Sequence, residues 1–305
     1  MLIFGLNIPL NKYFYAEGLI SPFGMTALRM TFAAVAFWLV SLFTPKEKVA
    51  KKDMLILIVG GICGMFINQG LFAYGLSNTS SIDASIITTS GPLFAMVVAA
   101  IVLREPITLK KAGGVLVGGV GAVILVLASQ QAVVNQDGSL KGDIAVLCAQ
   151  LFYATYIVIT RPLSEKYSPI TMMKWMFLTS ALIAMPAFGR DMISAPIFHQ
   201  GEIMPYLLIS FTLLGATFFT YMMIPLAQRR IRPTTISMYN NVQPLVATIV
   251  AIMFMGDSFT IPKLVASIFI FGGVYLVTTS KSRKDVLLEQ GEVKDWNIGD
   301  SDIKK

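Results

Sequence analysis

Charge is what this chain has least of. Only 13% of its 305 residues are charged, against about 25% in a soluble domain, and the mean hydropathy is +0.70. That composition excludes an ordinary water-soluble enzyme, whose apolar runs would have strand length, about 4–8 residues. Here the runs approach the roughly 20 residues that cross a bilayer core. Histidine occurs once, at His199, and cysteine twice, at Cys63 and Cys148. Both cysteines lie in apolar runs and read as small buried hydrophobes, and their separation fits no zinc pattern. The seventeen acids fall in loops, at helix ends or in the C-terminal stretch, and none sits mid-span. A membrane-embedded enzyme would need a clustered nucleophile, a metal site or an acid–base pair. Neither an enzymatic reaction nor a metal nor a cofactor is therefore expected. The net charge of +7 does not gather on a basic face. The cations sit between apolar runs, so no nucleic-acid partner is expected.

What the chain does have is a repeat. The stretch 84–108 holds a patch of hydroxyls, then Pro92, then an apolar run ending at Arg104-Glu105 and Thr108. The same plan returns over 236–260, with Pro244, Asp257 and Thr260. Subtracting 92 from 244, 105 from 257, or 108 from 260 gives 152 each time. Ser85/Ser237, Leu93/Leu245, Ala95/Ala247, Val98/Val250 and Ala99/Ala251 are identical in that register. The chain reads as a duplicated membrane protein.

Ten spans are predicted, at about 2–16, 22–43, 54–76, 82–103, 109–128, 142–161, 169–188, 205–227, 233–255 and 261–280. The first is short and begins almost at Met1, which predicts a helix trimmed at its start. It lacks the basic opening and the Ala-x-Ala-like end of a signal peptide. Lysines and arginines crowd alternate connections: Lys46 to Lys52, Arg104 to Lys111, Arg161 to Lys166, Arg229 to Arg232, and Lys281 to Lys284. The intervening connections carry far fewer, so the positive-inside rule puts both termini in the cytoplasm. Five spans per half is an odd number, so the second half must enter the membrane from the opposite side. The expected fold is all-α and integral to the membrane, ten helices in two inverted five-helix repeats, residues 1–130 and 141–281. Residues 282–305 form a polar cytoplasmic tail with no apolar period to bury. Inverted repeats are a feature of many secondary transporters, which bind substrate near the midplane between the repeats.

Residues 88–126 resemble the drug/metabolite transporter superfamily, EamA type. The likeness rests on the mid-span Pro92, the Arg104-Glu105-Pro106-Ile107-Thr108 turn and the glycine-rich helix from Gly113 to Gly121, with a second copy at Pro244, Asp257, Thr260 and Gly272-Gly273. Arg29 is similar to that family's arginine early in the second span. The chain departs from the pattern at its short first span and at Gly256-Asp257, where Arg-Glu would stand. The resemblance implies ten helices with both termini inside, a central cavity between the halves, and export or exchange of small metabolites across a bacterial-type inner membrane.

Several polar residues lie where a bilayer would not tolerate them unpaired. A helix-interior proline frees the carbonyl four residues earlier, so Pro92 frees that of Thr88 and Pro244 that of Asn240. Both prolines adjoin polar patches, Thr88-Thr89-Ser90 and Tyr239-Asn240-Asn241 with Gln243. Freed backbone at membrane depth survives only against protein or a wet cavity, and the two kinks are expected to face each other across the translocation path. Alternatively each is a packing kink covered by neighbouring hydroxyls. Arg29 lies eight residues beyond Ser21, about 12 Å into its helix, and Lys174 lies six beyond Ser168. Each reads as a functional intramembrane cation, with snorkelling as the bland alternative. Asn7 and Asn11 share one helix face. With Asn68, Gln69, Gln150, Tyr153, Trp175 and Tyr221 they complete a polar and aromatic set suited to a small-molecule pocket, though interhelical hydrogen bonding explains each alone. Gly114, Gly118 and Gly121 inside an apolar helix predict close helix packing, and Trp38 predicts an interface anchor.

The expected function is a secondary transporter of small polar metabolites, amino-acid-like in character, working by alternating access, as an exporter, facilitator or exchanger. Its expected partners are its substrate and membrane lipid, with a homodimer left open. With no acid mid-span, facilitated flux or exchange is expected, and Asp83, near the outer end of span four, is the residue able to overturn this. The alternative is a lipid-linked flippase or a non-transporting membrane assembly partner.

Overall fold

The computed structural model describes residues 2–102, 108–132, 140–199, 201, 203–230, 242–255 and 260–279. All regular structure in these residues is helical: α1 (Leu2–Ala16), α2 (Pro22–Ser41), α3 (Lys51–Asn78), α4 (Ser81–Thr88), α5 (Gly91–Val102), α6 (Leu109–Ala132), α7 (Leu140–Lys166), α8 (Pro169–Ile193), α9 (Ile203–Gln228), α10 (Val242–Met255) and α11 (Ile261–Thr278). Seven stretches among the described residues are long and apolar enough to cross a bilayer, α4 and α5 counting together as one of them. The other three predicted spans overlap α1, α6 and α10, which are not among those seven.

Local chemistry sets the helix starts. Ser21 caps α2 by accepting from Gly24 N at 2.9 Å, with Pro22 in the first turn. Ser168 does the same for α8, accepting from Thr171 N ahead of Pro169. Both follow the preference for a hydroxyl cap before a proline whose missing N–H would have been an orphan anyway. The α1–α2 turn passes through Gly18 at φ 63, a backbone region open to glycine at little cost.

The prediction for Pro92 needs correction. Instead of kinking one continuous helix, it stands in the first turn of α5, after a break at Thr89-Ser90. The hydroxyls of Thr88, Thr89 and Ser90 turn back onto the carbonyls of Ser85, Ile86 and Ile87 at 2.6–2.7 Å. Side chains thus share the carbonyls at the end of α4, where the backbone N–H groups of Thr89 and Ser90 also donate to Ile86 and Ile87. Pro244 stands in the first turn of α10, and Tyr239 and Asn240 lie outside the described residues.

Extensive helix pairings include α6 with α11, α2 with α8, α3 with α7, and α1 with α10. Each joins a helix from before residue 132 to one from after residue 140, so the two halves of the chain interleave. The largest core joins Met30 and Phe37 of α2 to Met173, Met176 and Phe177 of α8, with Tyr156 and Tyr221 alongside. Large apolar side chains such as Leu116, Leu182 and Phe254 face outward, as a lipid-facing surface requires. In the α6–α11 seam the predicted close packing is real. A Cβ on Gly273 would stand 2.5 Å from the Gly114 carbonyl oxygen, and one on Gly114 would stand 2.7 Å from that of Gly273.

A side chain at Gly273 must therefore push the two helices apart, whereas Gly272 looks onto open space. Gly273→Leu is expected to lower the unfolding temperature in detergent, at a cost of about 1–3 kcal/mol. Gly272→Leu is expected to leave it nearly unchanged, and equal effects from the two variants would refute the seam.

Candidate functional site

Two helices that must pack in a bilayer each lose their regular phase near the middle. Within α3, Ile62–Ile67 forms a π-turn, and within α9, Phe211–Phe219 does the same. A π-turn inserts a residue into the ladder and re-aims the side chains that follow it. Asn68 and Gln69 follow the first turn, and Thr220 and Tyr221 the second. Subtracting 69 from 221 gives 152, the offset of the sequence repeat. Gln69 Nε2 donates to the hydroxyl of Tyr221, so these two repeat-related positions touch.

Arg29 of α2 is buried beside them, with 5% exposure. Its Nε donates to Thr217 Oγ1 at 2.8 Å and its Nη1 to Gln69 Oε1 at 2.5 Å. Gln69 Nε2 also donates to Asn68 Oδ1 at 3.1 Å, and Asn68 Nδ2 donates to the carbonyl of Ala149 at 2.7 Å. Thr217 passes its own proton to the carbonyl of Thr212 at 2.8 Å, five residues back. Thr212 in turn donates to Asn7 Oδ1 at 2.9 Å. One hydrogen-bonded chain therefore ties α1, α2, α3, α7 and α9.

A cleft with about 510 Å³ of empty volume opens beside this chain. Asn7, Arg29, Asn68, Gln69, Thr88, Gln150, Tyr153, Tyr221 and Gln243, all singled out in the sequence, line it, together with Phe4, Ile8 and Phe72. Asn11 is buried but outside the lining. Trp175 also lies outside it, edge-on to Trp38 at 5.4 Å between ring centroids. The Lys174 ammonium sits 5.1 Å from the Trp38 ring centroid, so it belongs to that aromatic group and not to the cleft, and Trp38 is engaged by protein. Sequence reasoning missed Thr217 and Thr212, whose signal was hydroxyls inside the apolar run of span eight. Among the described residues no group of three or more His, Cys, Asp or Glu side chains gathers as a metal site would require.

The profile of the EamA-like transporter family matches residues 1–127 and 140–279. The chain belongs to that family. It is a multi-pass membrane transporter and not an enzyme. A WAT1-related protein of Arabidopsis thaliana is 26% identical over 80% of this chain and 74% of its own length. The uncharacterized transporter YyaM of Bacillus subtilis is 23% identical over 85% of each. A probable terminal-alkyne amino-acid exporter of Streptantibioticus cattleyicolor is 24% identical over 83% of each. One solved structure superposes with a TM-score of 0.60 at 16% identity, covering 91% of this chain and 96% of its own, and shares the fold.

Two further ties flank the cleft in this EamA-family fold. At the start of α4, Asp83 is 2% exposed and pairs with Lys263 of α11 at 3.1 Å, while Ser80 donates to Asp83 Oδ2 at 2.7 Å. The connection after α2 makes the other tie. There Glu47 accepts from Ser168 N at 2.9 Å and from Ser168 Oγ at 2.9 Å, placing its charge at the positive end of α8. Burial acts to raise the Glu47 carboxyl. The hydrogen bonds from Thr171 and Ser168, with Arg229 nearby, outweigh it and hold the group below its ordinary value of 4.5.

A carboxyl depressed in the folded state stabilises above its unfolded value and loses that contribution as pH falls toward the folded one. Glu47→Gln is therefore expected to unfold at a lower temperature than the wild type at pH 7. The gap should close as pH is taken below 4.5, and a gap that is flat from pH 7 to 3 would refute the tie. Asp83→Asn leaves the part-buried Lys263 without its counter-charge and should cost on the order of 3 kcal/mol. Adding Lys263→Met should recover part of that loss in a double-mutant cycle, and strictly additive losses would show that the two side chains do not interact.

Proposed function

We propose that the chain is a secondary transporter of small polar, amino-acid-like metabolites that works by alternating access through the cleft. In this reading two inverted five-helix repeats enclose the path, both termini lie in the cytoplasm, and the membrane is a bacterial-type inner membrane. The observation that carries it is the cleft itself. Its polar lining comes from α1, α2, α3, α4, α7, α9 and α10, on both sides of the repeat boundary, with Gln69 and Tyr221 meeting at the repeat offset. Midplane sites between repeats are what inverted-repeat transporters use, and a few placed polar groups among aromatic and aliphatic walls are what small-molecule sites use.

Movement would come from bending at the break between α4 and α5. Thr88 lines the cleft at the end of α4 while Asp83 anchors its start. Opening that end would part Asp83 from Lys263, and opening the other would part Glu47 from α8. Among the described lining residues none is Asp, Glu or His, and Asp83 already has a cation partner. Flux is therefore assigned to facilitated diffusion or exchange.

Counterflow in proteoliposomes against a labelled amino-acid and metabolite panel tests this. Counterflow indifferent to a pH gradient is expected. Flux that requires the gradient and disappears in Asp83→Asn would overturn the coupling assignment. No flux for any solute, together with no reaction of a thiol reagent at Thr88→Cys, would overturn the transporter reading in favour of a lipid flippase or an assembly partner.

A further inference from the structure

The hydrogen bonds around Arg29 run in a direction that can be fixed without knowing any proton position. An arginine only donates, so the atom of Gln69 that it meets is the carbonyl oxygen Oε1. The Gln69 nitrogen must then be the atom facing Asn68 and Tyr221. The Ala149 carbonyl only accepts, so the atom of Asn68 that meets it is the nitrogen, and the Asn68 oxygen is left for Gln69. Each amide oxygen is consumed inside the protein. The hydroxyl of Tyr221 accepts from Gln69, which leaves its own O–H to donate, and no partner takes it among the described residues. The Nη2 edge of Arg29 is likewise uncommitted among the described residues.

No carboxylate hydrogen-bonds to or pairs with Arg29 among the described residues. An intramembrane cation without a counter-charge is costly, and its two neutral partners, Thr217 and Gln69, spread that charge without cancelling it. The cleft thus presents a buried positive charge and surplus donors at one wall. Phe4, Ile8, Phe72 and the ring of Tyr153 supply apolar surface.

We infer that the cleft is a receptor for the carboxylate of an organic acid, with Arg29 and the Tyr221 hydroxyl as the groups that meet it. The inference rests on the transporter reading for the use of the site and adds its substrate class. A guanidinium offers a planar fork that matches a carboxylate, and such charge-assisted bonds are the strong ones. The apolar walls suit the carbon body of the acid. A carboxylate should therefore be preferred over its neutral amide and its amine.

The test uses the purified full chain and acid, amide and amine triads of increasing size, from acetate, acetamide and ethylamine to phenylacetate, phenylacetamide and phenethylamine. The readout is the ligand-induced rise in unfolding temperature, which needs no flux. Within at least one triad the acid is expected to act at a concentration about tenfold or more below that of the amide. Tyr221→Phe keeps the ring that packs against Phe4 and Phe177 but removes the acceptor of Gln69, and, with the rise measured from the variant's own unliganded unfolding temperature, it should raise that concentration about tenfold. Arg29→Gln should erase the preference and Arg29→Lys should restore part of it. If neither Arg29 variant folds, the wild-type triads and Tyr221→Phe decide.

Acid and amide acting equally, an amine preferred, or no shift in any triad would overturn the inference. Wild-type preference retained in Tyr221→Phe would remove Tyr221 from it. An acid-specific shift without counterflow would defeat the transporter reading alone, while counterflow of neutral solutes without acid preference would defeat this inference alone.

Discussion

Burying one guanidinium among apolar helices is the constraint around which the middle of this protein is arranged. A charge at membrane depth costs about 2.5–3.5 kcal/mol even on the mildest scale, and Arg29 has only neutral protein groups to offset it among the described residues. None of those groups comes from α2 itself. They come from α3 and α9: Gln69 follows the π-turn of α3, and Thr217 lies within that of α9. The distortion is covered locally, since Thr217 and Thr220 donate to carbonyls five residues back, at Thr212 and Gly215. Hydroxyls thus satisfy the backbone that the π-turn loosens, as any spanning helix must.

The same arrangement explains how a duplicated chain produces a site that is not symmetric. The repeat places Gln69 and Tyr221 at matching positions, and they face each other. One is an amide that can both accept from Arg29 and donate onward, and the other is a phenol that accepts and retains a proton. Two copies of either residue would break the chain. A glutamine pair would leave an amide nitrogen without an acceptor, and a tyrosine pair would give Arg29 a poorer oxygen. Arg29 itself has no cationic counterpart, since eight residues beyond the matching cap of α8, Ser168, stands Met176 of the α2–α8 core.

Much of this was legible in the sequence, for a physical reason. A polar side chain inside an apolar run has only protein or water to face, so Asn7, Arg29, Asn68, Gln69 and Gln150 stand out in the sequence, and in the structure they line one cleft. Periodicity could not show the π-turns, because an inserted residue shifts the phase of a run that is apolar on every face. Nor could it separate Phe4 and Phe72, which line the cleft, from phenylalanines that face lipid. Thr212 and Thr217 looked like ordinary helix hydroxyls until Arg29 and Asn7 gave them partners. Trp175 was chosen for its chemistry, but the edge-on contact with Trp38 claims it first. The proline at Pro92 reads as a bend within a helix, whereas in the structure it opens α5 after a two-residue turn at Thr89-Ser90 whose hydroxyls bond back to Ile86 and Ile87.

That break links the cleft to its surroundings. Helix α4 is only eight residues long, with Asp83 held at its start by Lys263 and Thr88 at its end against the cleft. A short rigid piece pinned at one end and hinged at the other can turn as a unit, because its internal hydrogen bonds need not change. The two ties that flank it differ in kind. The Glu47–Ser168 contact sits where water can replace each hydrogen bond as it breaks, so parting it is inexpensive. The Asp83–Lys263 pair is buried, and separating it exposes each ion to a medium that solvates it poorly unless water follows. Under the proposed alternating-access mechanism, this would make the Asp83 end the harder one to open and bias the empty protein toward closure there. Opening it would then depend on a ligand whose contacts with α4 and its neighbours are better in the open form, since only differential binding can shift such an equilibrium.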